Sequence, residues 1–185
     1  MSNTLGIIQK LHKIGKILSK IVFICCTVGF GLSIAGLISS AAGFEALKFG
    51  DITIKSILKY EADVSLGTVY TTLAVGLILC AEKAVLAKFA EHYFKCELAN
   101  GTPFNIYGAK LLLMLGILTI SVSLGSQIIA EIVHSSMSYV FENTADLSLN
   151  SGWEVALGIM FIITSLLCRY GAEKQTEFNG QPTNS

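Results

Sequence analysis

The sequence predicts an all-α integral membrane protein: four transmembrane helices in a bundle, an N-terminal amphipathic interfacial helix and a small outer β-like cap. The first observation behind this is four stretches without a charged residue, at 21–44, 64–81, 111–130 and 155–168. A charged side chain near the bilayer centre costs about 2.5–3.5 kcal/mol on insertion scales, so such stretches read as spans. The first three reach the roughly 18 residues that a hydrocarbon core requires. The fourth is shorter, and Trp153 and Tyr170 extend it as interfacial aromatics. The second observation is composition. Of 185 residues, 52% are hydrophobic and 14% charged, with a mean hydropathy of +0.64. A soluble domain usually carries about 25% charged residues. The chain therefore reads as a single membrane domain, residues 1–185, with spans at about 19–44, 62–83, 106–131 and 152–170.

The distribution of basic residues gives the orientation. Lys10, Lys13, Lys16 and Lys20 precede span one; Lys83, Lys88, Lys95 and Lys110 lie between spans two and three; Arg169 and Lys174 follow span four. Only Lys48, Lys55 and Lys59 lie between spans one and two, and none lies between spans three and four. The positive-inside rule places both termini and the middle connection in the cytoplasm of a cell-membrane protein. The formal net charge is zero, so nothing points to nucleic acid as a partner. The cysteines avoid the outer loops: Cys25 and Cys26 in span one, Cys80 and Cys168 at inner span ends, Cys96 in the middle connection. No disulfide is expected. The Cys25–Cys26 pair has no adjacent His or acid and reads as small packing residues.

Leu5, Ile8, Leu11, Ile14, Leu18 and Ile21 recur at helical spacing, with Lys10, Lys13, Lys16 and Lys20 largely off that stripe. This predicts a helix on the inner membrane surface that feeds span one. A cleaved signal peptide competes, but the apolar run is longer than the roughly 7–15 residues of a signal core. Within span one, Gly29, Ser33, Gly36 and Ser40 put small residues on one side, where another helix can approach closely. In the outer connections, residues 51–55 and 146–150 alternate apolar and polar side chains. The two segments are expected to pair as the cap, each being marginal alone.

Span two continues past the membrane through Val85, Leu86, Phe89, Tyr93 and Phe94 until Asn100 and Gly101 stop it. Thr102 is a candidate cap and Pro103 a candidate first helical residue of the next helix. A cytoplasmic helical hairpin over about 82–110 results. Its turn, Gly101, Pro103 and Phe104, is the candidate interaction site, because a bare helix stop does not need Phe104. That ring anchors in the headgroups, packs on the hairpin or contacts a partner. Span three carries Thr119, Ser121, Ser123, Ser126 and Gln127, a polar face that either lines a solute path or hydrogen-bonds to neighbouring helices. Glu131 and His134, three apart at its outer end, are a candidate metal-binding or pH-sensing pair; a solvated helix end competes. The polar tail over about 175–185 is expected to be disordered.

Three pieces resemble the YoaS-like family of small bacterial four-span membrane proteins, a domain of unknown function (2975). They are Gly101-Thr102-Pro103-Phe104 with residues 111–116 following, Leu147-Ser148-Leu149-Asn150 leading to Gly158, and Arg169-Tyr170-Gly171-Ala172-Glu173-Lys174-Gln175. The chain departs from the family pattern after Gln175, where Thr176-Glu177-Phe178-Asn179-Gly180 replaces an acidic and Leu-Thr-Val tail. The resemblance implies no established activity; members often lie beside small helix-turn-helix regulators, which suggests regulation by association.

No paired acids, Ser–His pair or metal cluster stands at a compatible depth, so no enzyme, catalytic residue, cofactor or metal is expected. The expected function is non-enzymatic interaction, sensing or regulation. The partners would be the lipid bilayer and another membrane protein or a regulatory protein at the hairpin. The alternative is a transporter or channel subunit for a small solute or ion, using the polar face of span three. The oligomeric state is not legible.

Overall fold

The structure is a computed structural model that describes residues 2–41, 48–49, 52–53, 65–100, 105–142, 144 and 152–180. Among these, four long helices carry the fold: α1 Ser2–Ala41, α2 Leu66–Asn100, α3 Ile106–Val140 and α4 Gly152–Gly180. Three are long and apolar enough to cross a membrane, over Gly6–Ser40, Ile106–Val140 and Gly152–Lys174. Their apolar side chains point outward: Leu11, Ile14, Leu18 and Ile21 of α1 are all more than half exposed. The stripe read from the sequence thus faces away from the protein, as lipid-facing residues do. The inward face of α1 is small or polar, with His12, Gly15, Ser33, Gly36 and Ser39.

The helix expected to supply span two, α2, is not among the three. Thr68, Tyr70, Thr71 and Thr72 dilute its apolar run, which ends at Glu82. The residues it buries explain the composition. Thr71, Leu73, Val75, Glu82, Ala87 and Glu97 are buried within the protein, so much of α2 meets other helices and is relieved of the demand lipid makes. The separate interfacial helix is a second difference. Its residues and those of span one form one unbroken helix, and no proline interrupts it. At about 1.5 Å per residue, such a helix is longer than a hydrocarbon core is thick.

α2 ends at Asn100. Ser65 caps α2, its Oγ accepting from the Thr68 backbone N–H at 3.2 Å. Asn105 caps α3, its Oδ1 accepting from the Tyr107 N–H at 3.1 Å. Thr102, the candidate cap read from the sequence, lies outside the described residues. At the other end α4 runs to Gly180, so helix stands over 175–180 where disorder was expected; residues 181–185 lie outside the described residues. Arg169–Glu173 (2.9 Å) and Lys174–Glu177 (2.7 Å) support this last stretch at i,i+4 and i,i+3 spacing.

A two-residue ladder pairs Lys48 with Thr53 and Phe49 with Ile52, antiparallel. Ile52–Thr53 is thus extended, as the alternation suggested. Its partner comes from the same connection; residues 146–150, the expected cap partner, lie outside the described residues. Segments close in sequence form a ladder at lower entropic cost than distant ones.

The chain divides into two compact units, residues 1–23, 85–124 and 151–185, and residues 24–84 and 125–150. In the first, α3 and α4 approach at Gly116 and Gly158. A Cβ on either would stand 2.8–2.9 Å from the other's carbonyl oxygen. Seven residues away on each helix, Ser165 Oγ donates to the Ala109 carbonyl at 2.7 Å. In the second unit, the small-residue face of α1 meets α2. A Cβ on Gly29 would lie 3.0 Å from Cys80 Sγ, one on Gly36 3.0 Å from Leu73, and one on Gly76 3.7 Å from Ser33 Oγ. Small residues at four- and three-residue steps of α1 thus make room for Cys80 and Leu73 of α2.

Candidate functional site

Helix α2 carries two buried carboxylates, one in each unit. Glu97 is 6% exposed and Glu82 4%. Carboxylates are almost never buried without partners.

Around Glu97, in the first unit, residues come from every helix. Gly108 of α3 faces the carboxylate so closely that a Cβ there would collide with it. From α1, His12 acts electrostatically on Glu97. His12 is oriented by its Nδ1–H, which donates to the Ile8 carbonyl at 2.8 Å. Its ring meets Phe94 edge-on at 5.9 Å and lies 6.4 Å from Tyr93. Gly15, one turn on, is covered by the Phe94 ring. From α4, Cys168 lies within electrostatic reach of Glu97 and Tyr93. Burial pushes the Glu97 carboxyl above the ordinary glutamate range, and the charge on His12 opposes this. Burial also raises the Tyr93 phenol, with Glu97 and Cys168 adding to the effect. A protonated Glu97 is a donor and an ionised one only an acceptor, so one proton changes what this pocket can bond.

Glu82, in the second unit, is held by side chains. Ser126 Oγ of α3 donates to its Oε2 at 2.6 Å, and Lys83 Nζ lies 3.0 Å from Oε1. Thr119, Ser123 and Ser126 of the polar face are all buried, whereas Ser121 is exposed. Thr119 Oγ1 donates to its own helix, at the Leu115 carbonyl, 2.8 Å away. No buried side-chain nitrogen or oxygen among the described residues lacks a hydrogen-bond partner. Ser126 thus hydrogen-bonds to a neighbouring helix. Ser126→Ala should cost about 1–3 kcal/mol in detergent unfolding, because the carboxylate loses this donor while remaining buried. Ser121→Ala should stay within about 0.5 kcal/mol. Equal effects would remove the Ser126–Glu82 bond from the account.

The sites read from the sequence fare differently. Gly101, Pro103 and Phe104 lie outside the described residues. Glu131 and His134 fall inside α3, which continues to Val140, and not at its end. Glu131 is exposed and His134 half-buried. Among the described residues no group of three or more His, Cys, Asp and Glu could hold a metal ion. All five cysteines are free.

No family model, curated protein or solved structure matches this chain.

Neither buried carboxylate was singled out from the sequence, yet each left a signal. Thr71, Val75 and Glu82 are four and seven apart, so Glu82 continues a buried stripe of α2. Tyr93 and Glu97 are four apart, which puts an acid on the face of an aromatic run. Reading Glu82 as the end of a span, and the residues beyond as a solvated projection, hid both.

Proposed function

We propose that the chain is a non-enzymatic multi-pass membrane protein that senses or regulates, a small four-span protein of YoaS-like kind. Three spans are α1, α3 and α4; the first half of α2 is the fourth, sheltered by its neighbours. Both termini and the 82–110 hairpin are cytoplasmic, in line with the basic residues that flank them. A signal from a reporter fused at Ser185 on the outer side would reject this orientation. The observation that carries the sensing role is Glu97. A carboxyl buried among His12, Tyr93 and Cys168, with its pKa raised, gains or loses a proton where doing so changes the packing of α1, α2, α3 and α4. Another membrane protein or a regulatory protein at the hairpin would read that change.

A second reading, a small-solute or ion transporter subunit, draws on Glu82. Acids at membrane depth commonly mark ion paths, and Ser126 of the span-three polar face bonds directly to this one. Proteoliposomes separate the two. For a sensor, a pH step alters the reactivity of Cys96 or Cys168 toward a thiol reagent without proton or ion flux, and Glu97→Gln abolishes the response. Flux that disappears in Glu82→Gln would establish the transporter and reject the sensor.

A further inference from the structure

Beyond residue 84, α2 carries an open groove of about 340 Å³ lined by Lys88, Phe89, Glu91, His92 and Lys95. Its charge is unbalanced. Lys88 Nζ lies 3.0 Å from Glu91 Oε2 and 5.0 Å from the centre of the Phe23 ring on α1. The hydrogen bond from Lys88 and the charges of Lys20 and Lys16 hold the Glu91 carboxyl below the ordinary glutamate range. Both α1 lysines therefore stand close to this groove. One carboxylate is set among Lys16, Lys20, Lys88 and Lys95, and one negative charge cannot neutralise four ammonium groups. Exposed apolar side chains adjoin these lysines, Phe89 in the groove and Ile17 and Ile21 next in sequence to Lys16 and Lys20 on α1.

We propose that this groove binds the phosphate of an anionic phospholipid headgroup. A phospholipid needs both parts of the arrangement: a basic pocket for the phosphodiester and an adjoining apolar surface for the acyl chains. A soluble anion needs only the first. The phosphate would displace Glu91 from Lys88 or share Lys88 with it, and Lys95 with the two α1 lysines would supply the remaining charge. Basic groups that merely set membrane orientation need no groove and no aromatic neighbours. Here Phe23 lies under Lys88, and Phe89 forms a wall.

Native mass spectrometry of the full-length protein in mixed micelles, with phosphatidylglycerol and phosphatidylcholine as the probes, tests this. The wild type should retain phosphatidylglycerol in preference to phosphatidylcholine, and less so as salt rises. Each basic group near an anionic surface contributes about 1 kcal/mol, a factor of about five in affinity, so Lys88→Gln/Lys95→Gln should weaken retention about 30-fold. Lys174→Gln, in the Glu177 ion pair, should change nothing. Glu91→Gln removes the competing charge and should tighten binding; this opposite sign keeps the test decisive if the double variant fails to fold. Equal retention of the two lipids would overturn the proposal. So would displacement of the lipid by millimolar inorganic phosphate, or weaker binding in Glu91→Gln.

Discussion

Gly116→Ala is expected to destabilise the detergent-solubilised protein by about 1–3 kcal/mol, the usual cost of overpacking a closed interior. The direction is informative because an alanine in place of a helical glycine ordinarily gains about 1 kcal/mol of propensity. Position 116 cannot realise that gain. A Cβ there would stand 2.8 Å from the Gly158 carbonyl oxygen and 3.1 Å from the Ile162 backbone nitrogen. These are main-chain atoms, and no rotamer moves them. The reciprocal substitution, Gly158→Ala, meets the Gly116 carbonyl oxygen at 2.9 Å and Ile120 Cγ1 at 2.5 Å. Either change pushes α3 from α4 and stretches the 2.7 Å bond from Ser165 to the Ala109 carbonyl. Gly31→Ala and Gly125→Ala supply the contrast, since a Cβ at either meets nothing within 4 Å. They should leave stability unchanged or raise it. Thermal unfolding of the four variants reads the difference, and a common shift in all four would mean the close approach of α3 and α4 contributes nothing.

How much of this was legible in the sequence depends on what each pattern encodes. Absence of charge over 111–130 encodes tolerance of lipid, and α3 follows. The same signal read α2 as a span, yet α2 is not among the three helices apolar enough to cross, and it buries Thr71 and Glu82 within the protein. Small residues in α1 showed where backbones approach, and Gly29, Ser33 and Gly36 do meet α2. They did not reveal Gly116 and Gly158, which lie in two segments read only for polarity and length. Buried carboxylates were the least legible feature. Burial of Glu97 is decided by Gly108 and His12, on other helices, and a single segment does not record which neighbours will close over it. The amphipathic stripe of residues 5–21 illustrates the converse: period and polarity were correct, but an apolar stripe alone does not say whether a helix lies along a membrane or continues straight into a span.

Glu97→Gln is expected to remove a pH dependence that the wild-type fold carries. The folded-state pKa of Glu97 lies above the ordinary glutamate value of 4.5 because burial disfavours the charged form. For a group raised in this way, the neutral form binds more favourably to the fold. The stabilisation is complete below the unfolded-state value and is lost as pH rises through the folded-state value. Wild-type stability should therefore fall on that alkaline side, whereas the Gln variant, neutral throughout, should stay level there. Above the folded-state value the variant should be the more stable, by more than the roughly 0.5 kcal/mol typical of surface substitutions. His12 acts in the opposite sense to burial, its electrostatic effect favouring ionised Glu97. Tyr93 and Cys168 feel the charge of Glu97, and Tyr93 is held neutral well beyond this range by burial. Gly108→Ala separates proton binding from packing. The atom its Cβ meets is the end of a flexible side chain, so the carboxyl is displaced at little cost in stability, while the midpoint of the pH response moves. Parallel stability–pH curves for wild type and Glu97→Gln would show that Glu97 does not carry the proton.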